Sequence, residues 1–405
     1  MSTRYDIVVV GGGLTGAAAA LALARDGWQV ALVEAGPEPV LPEESDPFGQ
    51  RVSTLNPAAI ALLRRLDVWP QLRPERLGWF DRMTVWESDP ELALEFSAAD
   101  AALTQLGCVA ENLHVAAALW RVGREHLTAY TGARVESLDV SERRASLRLV
   151  DGERLSAALV VAADGAGSPL RAEAGIEVDA LDYDQRGVVA TVSVTDHRDT
   201  AWQRFLPTGP LAFLPLSPGQ ASIVWTLPAE EADQQLAADD EAFSAALTDA
   251  AQGQLGTVTL AGPRAAFPLR RLHAERYHGD RVVLVGDAAH VVHPLAGQGA
   301  NLGLLDAAAL RDVLLPARDG GDPAAAAGLR RYSRWRRSDN EIMVQSLHGI
   351  AQIFGQDTPG WRGLRLLGAR ALNTAGWLRG RLVEHASGFG GKVPELARRP
   401  ALTQI

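Results

Sequence analysis

The first 34 residues restrict the possible folds more than any other part of this sequence. An apolar, β-branched run at residues 5–10 is typical of a buried parallel strand. It is followed by three glycines with GxGxxG spacing, namely Gly11, Gly13 and Gly16. An Ala- and Leu-rich helix is predicted from Leu14 to Arg25, and a second strand at residues 29–33 ends in Glu34. This order of strand, glycine loop, helix, strand and acid predicts a Rossmann-like dinucleotide-binding unit.

Each of these residues has a chemical reason to stand at its position. Gly11 allows the tight turn, Gly13 lets a pyrophosphate approach the backbone, and Gly16 lets the helix pack close to the strand. Glu34 is placed to accept hydrogen bonds from the ribose hydroxyls of an adenosine. An ordinary glycine turn is the alternative, but it would not explain why a strand, a glycine loop, a helix, a second strand and an acid follow one another in this order.

Two further glycine loops follow strands later in the chain. The longer one, Gly286–Gly303, comes after the apolar run 281–285 and leads into a helical pattern that begins near Gly299. Backbone amides at such a loop suit an anionic or electron-rich ligand, and Asp287 stands where a carboxylate can accept from a sugar hydroxyl. A tight turn in an ordinary α/β sheet is the alternative.

The shorter loop closes a predicted strand at residues 154–161. Asp164 and Gly165 end this strand, and Ser168 is a capping residue for a helix that contains Arg171. An Asp–Gly turn without a binding role is the alternative.

Composition limits the classes of protein that remain. A chain of 405 residues can hold two joined domains, and its net charge of −10 argues against nucleic acid as a main partner. Cys108 is the single cysteine, which excludes an internal disulfide and a cysteine-based metal site. The N-terminus enters a strand at once and no apolar run reaches membrane-spanning length, so a cytoplasmic protein is expected. Peripheral contact with the inner face of the cytoplasmic membrane stays open.

The three glycine loops together resemble those of the single-component, FAD-dependent (class A) aromatic hydroxylases. The matching positions are Gly11-x-Gly13-x-x-Gly16 with Glu34, Asp164-Gly165 with Arg171, and Gly286-Asp287 with Pro294 and Gly299. More narrowly, the sequence resembles the ubiquinone-biosynthesis hydroxylase family in four stretches: RVSTLN at 51–56, EN at 111–112, FLPL at 213–216 and HVVHPLAGQG at 290–299. The resemblance extends from the first strand to about Phe354.

The resemblance implies FAD as the cofactor and assigns residues to its adenosine half. Glu34 would bind the adenosine ribose, and Arg51 would bind the pyrophosphate region. Asp164 and Gly165 would lie close to the adenosine half. From pattern alone, Arg51 could equally be a solvated charge at the entry of a helix.

The resemblance also assigns residues to the flavin half. Asp287 would bind the ribityl chain. The isoalloxazine ring would be lined by the stretch that contains Pro294, Gly297, Gly299, Asn301 and Leu302, with the backbone of the last two near the pyrimidine edge. His293 is a candidate for contact with the flavin or the substrate, and a packed loop histidine is the alternative. His290 and His293 have HxxH spacing, but no third ligand stands nearby and no metal site is expected.

The chemistry that the resemblance implies requires few diagnostic side chains. Reduced flavin and O₂ would give a C4a-hydroperoxide that transfers OH to a polyprenylated phenol or benzoquinol of ubiquinone biosynthesis, with NAD(P)H as the reductant. Because such an intermediate decomposes in water, the pocket should be dry and close-walled. The cofactor carries the hard step, which explains why no catalytic triad or paired carboxylates are found.

The expected fold class is α/β: a Rossmann-like three-layer FAD-binding domain with an inserted mixed β-sheet substrate domain of α+β type and a C-terminal helical region. Alternating apolar residues between Trp79 and Asp100 and strand-like runs between 183 and 267 indicate the second domain. The FAD-binding domain would comprise residues 1–80, 101–180 and 268–335. The substrate domain would comprise 81–100 and 181–267, and the helical region 336–405.

The stretch 361–382 carries five arginines and no acid, against the negative charge of the whole chain. Its leucines and alanines follow helical spacing, although glycines weaken the helix prediction. A basic amphipathic helix suits anionic lipid, where a polyprenyl substrate resides, or a partner in a ubiquinone-biosynthesis complex. A helix packed on its own domain is the alternative.

Several other activities are compatible with the same fold. A halogenase would need a lysine near the flavin, but the single lysine is Lys392, near the chain end. A prenyl reductase, a hydroxylase of another aromatic substrate and a non-catalytic flavoprotein subunit remain alternatives. Within the family, the sequence at residues 222–225 and at Asp182-Tyr183 favours the branch that acts on the C5 position of a 2-polyprenylphenol.

Overall fold

The computed structural model describes residues 3–293, 297–355, 368, 372 and 374–400. In these residues the helices are α1 (Leu14–Arg25), α2 (Pro57–Arg65), α3 (Asn112–Gly123), α4 (Pro169–Glu173), α5 (Ala229–Ala237), α6 (Asp240–Ala250), α7 (Gly299–Leu314), α8 (Ala326–Gly355) and α9 (Gly376–Ala386). The strands are β1 (Thr3–Val10), β2 (Val30–Val33), β3 (Val52–Leu55), β4 (Gly78–Phe80), β5 (Arg82–Trp86), β6 (Leu94–Ser97), β7 (Gly107–Glu111), β8 (Thr128–Tyr130), β9 (Val135–Val140), β10 (Ala145–Leu149), β11 (Arg154–Ala162), β12 (Val178–Ser193), β13 (Thr200–Leu206), β14 (Gly209–Pro215), β15 (Gln220–Pro228), β16 (Thr259–Leu260), β17 (Ala265–Ala274), β18 (His278–Gly279), β19 (Val282–Leu284) and β20 (His290–Val291).

The first sheet brings the three glycine loops to one edge. Its order is β18-β19-β11-β1-β2-β8, and β10 and β9 extend it from β11. Strands β19, β11, β1, β2 and β8 pair in parallel, with Ile7 opposite Leu159 on one side and Val30 on the other. Because β19, β11 and β1 are parallel neighbours, the loops at their carboxyl ends lie side by side, where open α/β sheets bind ligands.

Helix α1 has the bounds that the sequence predicts and packs against both α3 and α7. Its residues from Gly16 to Ala24 are all buried, because alanines and one glycine let neighbouring elements approach closely. The buried residues of the central strands β1, β2, β11 and β19 are apolar except for Ser156 on β11. The dinucleotide-binding unit is therefore built as the sequence predicts, around one large core.

The second sheet has the order β20-β17-β12-β15-β14-β13-β5-β6, with β16 on β12. Its pairings are antiparallel except for the parallel pair β13–β5, so it is mixed. Helices α5 and α6 cover it, and Phe243 and Leu247 are buried in the same core cluster as Val188 and Trp225. An α/β fold with a mixed second sheet is thus confirmed.

A small third sheet, β3-β7-β4, carries the segment that begins at Arg51. Among the described residues, no helix is both long and apolar enough to cross a membrane. Pro294 and the stretch 361–367 lie outside the described residues. The domain boundaries given above remain our proposal.

Candidate functional site

Of the three motif glycines near the N-terminus, packing requires Gly11 and Gly16 but does not require Gly13. A Cβ atom on Gly11 would lie 2.2 Å from the Ala163 carbonyl oxygen, and one on Gly16 would lie 1.9 Å from the Gly11 oxygen. Gly11 also has a φ of +102°, which favours glycine. By contrast, a Cβ on Gly13 would meet no protein atom within 4 Å. The space beside exposed Gly13 is therefore free for a pyrophosphate, as the sequence motif predicts.

Glu34 lies directly behind this loop. Its Oε2 accepts from the Gly12 amide at 2.6 Å and its Oε1 accepts from the Gly36 amide at 2.7 Å. A carboxylate offers roughly four acceptor positions, so capacity remains for ribose hydroxyls. Trp120 on α3 donates through Nε1 to the Gly12 oxygen at 2.8 Å and holds the loop from the other side. Sequence reasoning missed Trp120, because no motif links it to the loop.

Arg51 is exposed and lies close enough to Asp287 to affect the pKa of that carboxyl. Its Cζ lies 4.5 Å from the centroid of the Phe267 ring, and its carbonyl oxygen accepts from the Asn112 amide at 2.9 Å. In the part of the chain that the structure describes, Arg51 forms no ion pair within 4.0 Å, so its charge is available to a phosphate group. A fixed backbone and an available charge fit the role that the resemblance implies.

A buried ion pair fixes the loop that leads to Arg51. Arg76 binds Glu111 with both a 2.7 Å and a 2.8 Å hydrogen bond, and both side chains are almost fully buried. Arg76 also donates to the carbonyl oxygens of Glu43 and Asp46, and Glu111 accepts from the Gly49 amide at 2.7 Å. The bidentate geometry makes this pair a strong anchor for residues 43–49. In the sequence, Glu111 stands out only as part of the family resemblance, and no pattern indicates Arg76.

In the second glycine loop, the carboxylate of Asp164 accepts hydrogen bonds from residues that follow it closely in the chain. Asp164 accepts from the Ser168 hydroxyl at 2.5 Å and from the Leu170 amide at 3.2 Å, and Ser168 caps α4 by accepting from the Arg171 amide, as predicted. Burial raises the pKa of the Asp164 carboxyl, and the hydrogen bond from Ser168 acts against that rise. Arg171 reaches across to the Ala288 carbonyl oxygen at 2.9 Å. It therefore ties the second loop to the third.

Asp287, the predicted ribityl ligand, is exposed to solvent after the end of β19. The surrounding protein raises the pKa of its carboxyl by desolvation, while His290 and Arg51 oppose the rise. Gly286 before it has a φ of +59°, and a Cβ there would lie 2.9 Å from Thr15 Oγ1. Here the close approach of the loop to α1 requires glycine.

The helix that follows is fastened to the small third sheet by Asn301. Its Nδ2 donates to the Thr54 carbonyl oxygen at 2.7 Å and its Oδ1 accepts from the Asn56 amide at 2.9 Å. Gly297 has a φ of +60°, and a Cβ there would come within 3.0 Å of Thr54. Gly299 begins α7, and Leu302 is buried one turn later. The residues of this helix that are predicted to line the isoalloxazine are thus held against β3, the strand that directly follows Arg51.

The two histidines of the third loop point to different partners. His290 Nε2 lies 2.6 Å from Asp306 Oδ2 in the interior. His293 is buried, and its ring packs edge-on against Tyr183 at a centroid distance of 5.1 Å. Burial, with a contribution from His348, lowers the pKa of His293 to about 4, so the ring is neutral at pH 7. Among the described residues, no group of three or more His, Cys, Asp or Glu side chains is arranged for a metal.

An apolar cluster adjoins these loops. It combines side chains from two strands of the second sheet, the third loop and the two long helices: Val85, Phe205, Val292, Leu302, Met343, Val344 and Phe354. Phe205 and Phe354 stack at a centroid distance of 3.7 Å. The cluster contains Leu302, a predicted flavin contact, so the apolar surface continues to the edge of the proposed cofactor site. Periodicity did not predict it, because its members come from five separate segments.

The residues present fit an FAD molecule. The free space at Gly13, the remaining acceptor positions of Glu34 and the carboxylate of Asp287 lie at the carboxyl ends of β1, β2 and β19 in the first sheet. The charge of Arg51 is close enough to Asp287 to affect the pKa of its carboxyl. Their individual binding roles stay predictions.

Comparison with known proteins also indicates a protein that binds FAD. A family model described as an FAD binding domain matches residues 4–346. The chain is 37% identical over 391 residues to the 3-demethoxyubiquinol 3-hydroxylase of Escherichia coli, covering 95% of this chain and 98% of that protein. It is 37% identical over 401 residues to the ubiquinone hydroxylase UbiL of Rhodospirillum rubrum, covering 97% and 92%. It is 32% identical to the human mitochondrial ubiquinone biosynthesis monooxygenase COQ6, covering 95% and 93%.

Solved structures share the fold at lower identity. The p-nitrophenol 4-monooxygenase PnpA of Pseudomonas putida superposes with a TM-score of 0.78 at 21% identity and covers 97% of this chain and 100% of that one. PqsL of Pseudomonas aeruginosa in complex with 2-aminobenzoylacetate gives a TM-score of 0.76 at 24% identity, covering 91% and 100%. At these identities the likeness concerns the fold alone.

Proposed function

The chain belongs to the FAD binding domain family and, within it, to the ubiquinone-biosynthesis hydroxylases, and from this membership we propose that it hydroxylates the aromatic ring of a polyprenylated phenol or benzoquinol. It is an FAD-dependent aromatic monooxygenase. The observation that carries the substrate proposal is the apolar cluster that contains Leu302 and Val292, the residue before His293. A polyprenyl chain requires such a wall, whereas a soluble aromatic acid would require a cation.

The protein's own residues would bind and orient the cofactor. Glu34 would hold the adenosine ribose, Arg51 would neutralise the pyrophosphate, and Asp287 would accept from the ribityl hydroxyls. Bound FAD would supply the redox chemistry and the activation of O₂. The stacked Phe205 and Phe354 would exclude water from the reacting ring.

The reductant in our proposal is NAD(P)H. The sequence carries one dinucleotide fingerprint, which FAD would occupy, so the nicotinamide would bind transiently rather than in a second Rossmann site. Oxidation of NAD(P)H that depends on the phenol, with incorporation of oxygen from O₂, would distinguish this enzyme from a non-catalytic flavoprotein subunit.

We place the protein at the inner face of the cytoplasmic membrane through α9. Trp377 is 70% exposed and Leu382 is 45% exposed, and Arg381 lies on the surface one turn from Trp377. An aromatic ring, an aliphatic side chain and a cation on one exposed helix suit an anionic lipid surface. Trp377→Ser should reduce co-sedimentation with phosphatidylglycerol vesicles, whereas Leu315→Ser, at an exposed leucine elsewhere, should not. Equal binding of both variants would point to a protein partner for the stretch 361–382.

The decisive test of the proposed function is the analysis of quinone intermediates in a strain that lacks this gene. We expect a polyprenylated precursor that lacks one ring oxygen, and ubiquinone should return when the gene is restored. The missing oxygen also identifies the ring position: an unhydroxylated C5 would place the protein with the polyprenylphenol branch, and a demethoxyquinol would place it with the E. coli relative. Unchanged ubiquinone would overturn the proposal.

A further inference from the structure

One row of paired residues crosses the second sheet on the face that is turned away from α5 and α6. Trp202, the residue before Gln203 on β13, packs in the same core cluster as Phe243 of α6, and successive side chains of a strand point to opposite faces. Gln203 therefore points to the other face. Its row takes one residue from each of six strands: Val85, Gln203, Ala212, Val224, Val189 and Ala265. Gln203 is the polar residue in this otherwise apolar row.

This face of the sheet adjoins the proposed flavin region. Val85, the partner of Gln203 on β5, and Phe205, two residues further along β13, both belong to the apolar cluster that contains Leu302. Ala201, two residues before Gln203, belongs to a second apolar cluster that includes residues of the small third sheet. Because residues two apart on a strand share a face, Gln203 lies between the two clusters. A polar amide is thus placed in an apolar wall that extends to a predicted flavin contact.

The amide of Gln203 is buried without a protein partner. The residue is 6% exposed, and its partner on β14, Ala212, contributes only a methyl group. In the described part of the chain, no protein group forms a hydrogen bond with this amide, and neither amide atom is completely enclosed. An unpaired polar group in the interior destabilises a protein, and native structures contain few of them. The amide therefore has hydrogen-bonding capacity that a ligand can use.

A phenol ring carries the group that would complete this amide. We propose that Gln203 hydrogen-bonds the phenolic hydroxyl of the substrate and thereby determines which ring carbon faces the flavin. This inference rests on the proposed function. The amide oxygen can accept the hydroxyl hydrogen, and the amide nitrogen can donate to an oxygen on the neighbouring ring carbon. In a pocket that is mainly apolar, a small number of polar groups fix the orientation of the ligand. Gln203 is such a positioning residue.

The first test measures binding to the oxidised holoenzyme by the change in flavin absorbance. The probes are 2-prenylphenol and its methyl ether, 2-prenylanisole, which cannot donate a hydrogen bond. The wild-type protein should bind the phenol about five- to tenfold more tightly than the ether, and Gln203→Leu should bind the two within about twofold of each other. Equal affinity of the wild-type protein for the two probes would overturn the inference.

A matched control comes from another glutamine of the second sheet. Gln185 is half-buried, and its amide already donates to the Thr208 carbonyl oxygen at 3.2 Å. Gln185→Leu should therefore discriminate between phenol and ether as the wild-type protein does. Loss of discrimination in both variants would show that the effect does not depend on the unpaired amide, and would count against Gln203.

Turnover gives a second measurement. With NAD(P)H and O₂, the wild-type protein should convert 2-prenylphenol into one positional isomer. Gln203→Leu should give a mixture of isomers and at least fivefold more hydrogen peroxide per NAD(P)H oxidised, because a ring without its anchor is less often placed to accept oxygen. A single isomer and an unchanged yield of peroxide in Gln203→Leu would contradict the proposed role.

Stability distinguishes this role from a structural one. Because the amide has no protein partner, Gln203→Leu should leave the unfolding temperature of the substrate-free holoenzyme unchanged or raise it. Gln203→Met, which is closer in length, should do the same and should also lose the discrimination between phenol and ether. A lower unfolding temperature in both variants, with discrimination intact, would assign Gln203 to the structure of the sheet.

Failure of this inference differs from failure of the proposed function. If the wild-type protein hydroxylates 2-prenylphenol and Gln203→Leu discriminates between the two probes as the wild type does, Gln203 does not position the ring and the proposed function stands. If the wild-type holoenzyme hydroxylates no prenylated phenol, the proposed function fails and the inference fails with it.

Discussion

Asp306 and Arg336 form an ion pair in the interior, with Arg336 Nε 2.7 Å from Asp306 Oδ1 and both side chains 2% exposed or less. The other oxygen of Asp306 accepts from the Gly286 amide at 3.1 Å and lies 2.6 Å from His290 Nε2. Burial alone would raise the pKa of Asp306, but His290 and Arg336 outweigh it and hold the pKa at about 2. One carboxylate therefore joins α7 and α8 to the loop that presents Asp287.

The first prediction concerns this carboxylate. Asp306→Asn removes the buried counter-charge of Arg336 and leaves it only the more exposed Asp339, at 3.1 Å, so the free energy of unfolding should fall by about 3–5 kcal/mol. Because the folded pKa lies below the unfolded one, the carboxylate's contribution is complete above about pH 4 and is lost as the pH falls toward 2. Urea unfolding at pH 7 measures the loss. Asp322→Asn, at a carboxylate that is 45% exposed in its pair with Arg281, is the control and should cost at most about 1 kcal/mol. Equal losses in the two variants would contradict the prediction.

The second prediction concerns two buried neutral histidines. Burial lowers the pKa of His114 and of His293 to about 4, and His114 Nε2 accepts from the Arg73 amide at 3.0 Å. A histidine with a depressed folded pKa binds its proton more tightly when unfolded. Stability should therefore be complete above the unfolded pKa of roughly 6.5 and decline as the pH falls to about 4. His114→Gln should flatten this decline in a series of unfolding curves, whereas the exposed His126→Gln should leave it unchanged. An unaltered slope in His114→Gln would refute the assignment.

The third prediction separates folding from cofactor binding at the first loop. Gly13→Ala adds a methyl group that meets no protein atom, so the flavin-free protein should unfold within about 0.5 kcal/mol of wild type. The same methyl group would occupy the space proposed for the pyrophosphate, and FAD should bind at least tenfold more weakly. Gly16→Ala should instead impair folding, because its methyl group would overlap the Gly11 oxygen. Flavin fluorescence titration and thermal unfolding measure the two effects. Normal FAD affinity in Gly13→Ala would place the pyrophosphate elsewhere.

The sequence predicts those parts of the molecule in which function depends on contiguous residues. The bounds of α1, the parallel strands and the Ser168 cap follow from local pattern, since each depends on neighbours in the chain. Trp120 and Arg336 could not be predicted in this way, because their hydrogen-bond partners lie 108 and 30 residues away in the chain. Nothing in the sequence distinguishes these two side chains from other tryptophans and arginines. The same is true of Gln203, whose place in an apolar row depends on how the strands pair.

The fourth prediction tests whether Asn301 couples the flavin-side helix to the strand of Arg51. Asn301→Leu keeps the volume but leaves the Thr54 carbonyl and the Asn56 amide without their buried partner. At about 1–3 kcal/mol for each of the two unsatisfied groups, the free energy of unfolding should fall by about 2–6 kcal/mol, and FAD should dissociate at least tenfold faster. Ser53→Ala is the matched control, since it removes a half-buried hydrogen bond to Asn112 from the same strand and should cost about 1 kcal/mol with little effect on FAD. Urea unfolding and the release of flavin fluorescence give the two readings. If Asn301→Leu were less stable yet released FAD at the wild-type rate, the helix and the strand would hold the cofactor independently, and Asn301 would have a structural role only.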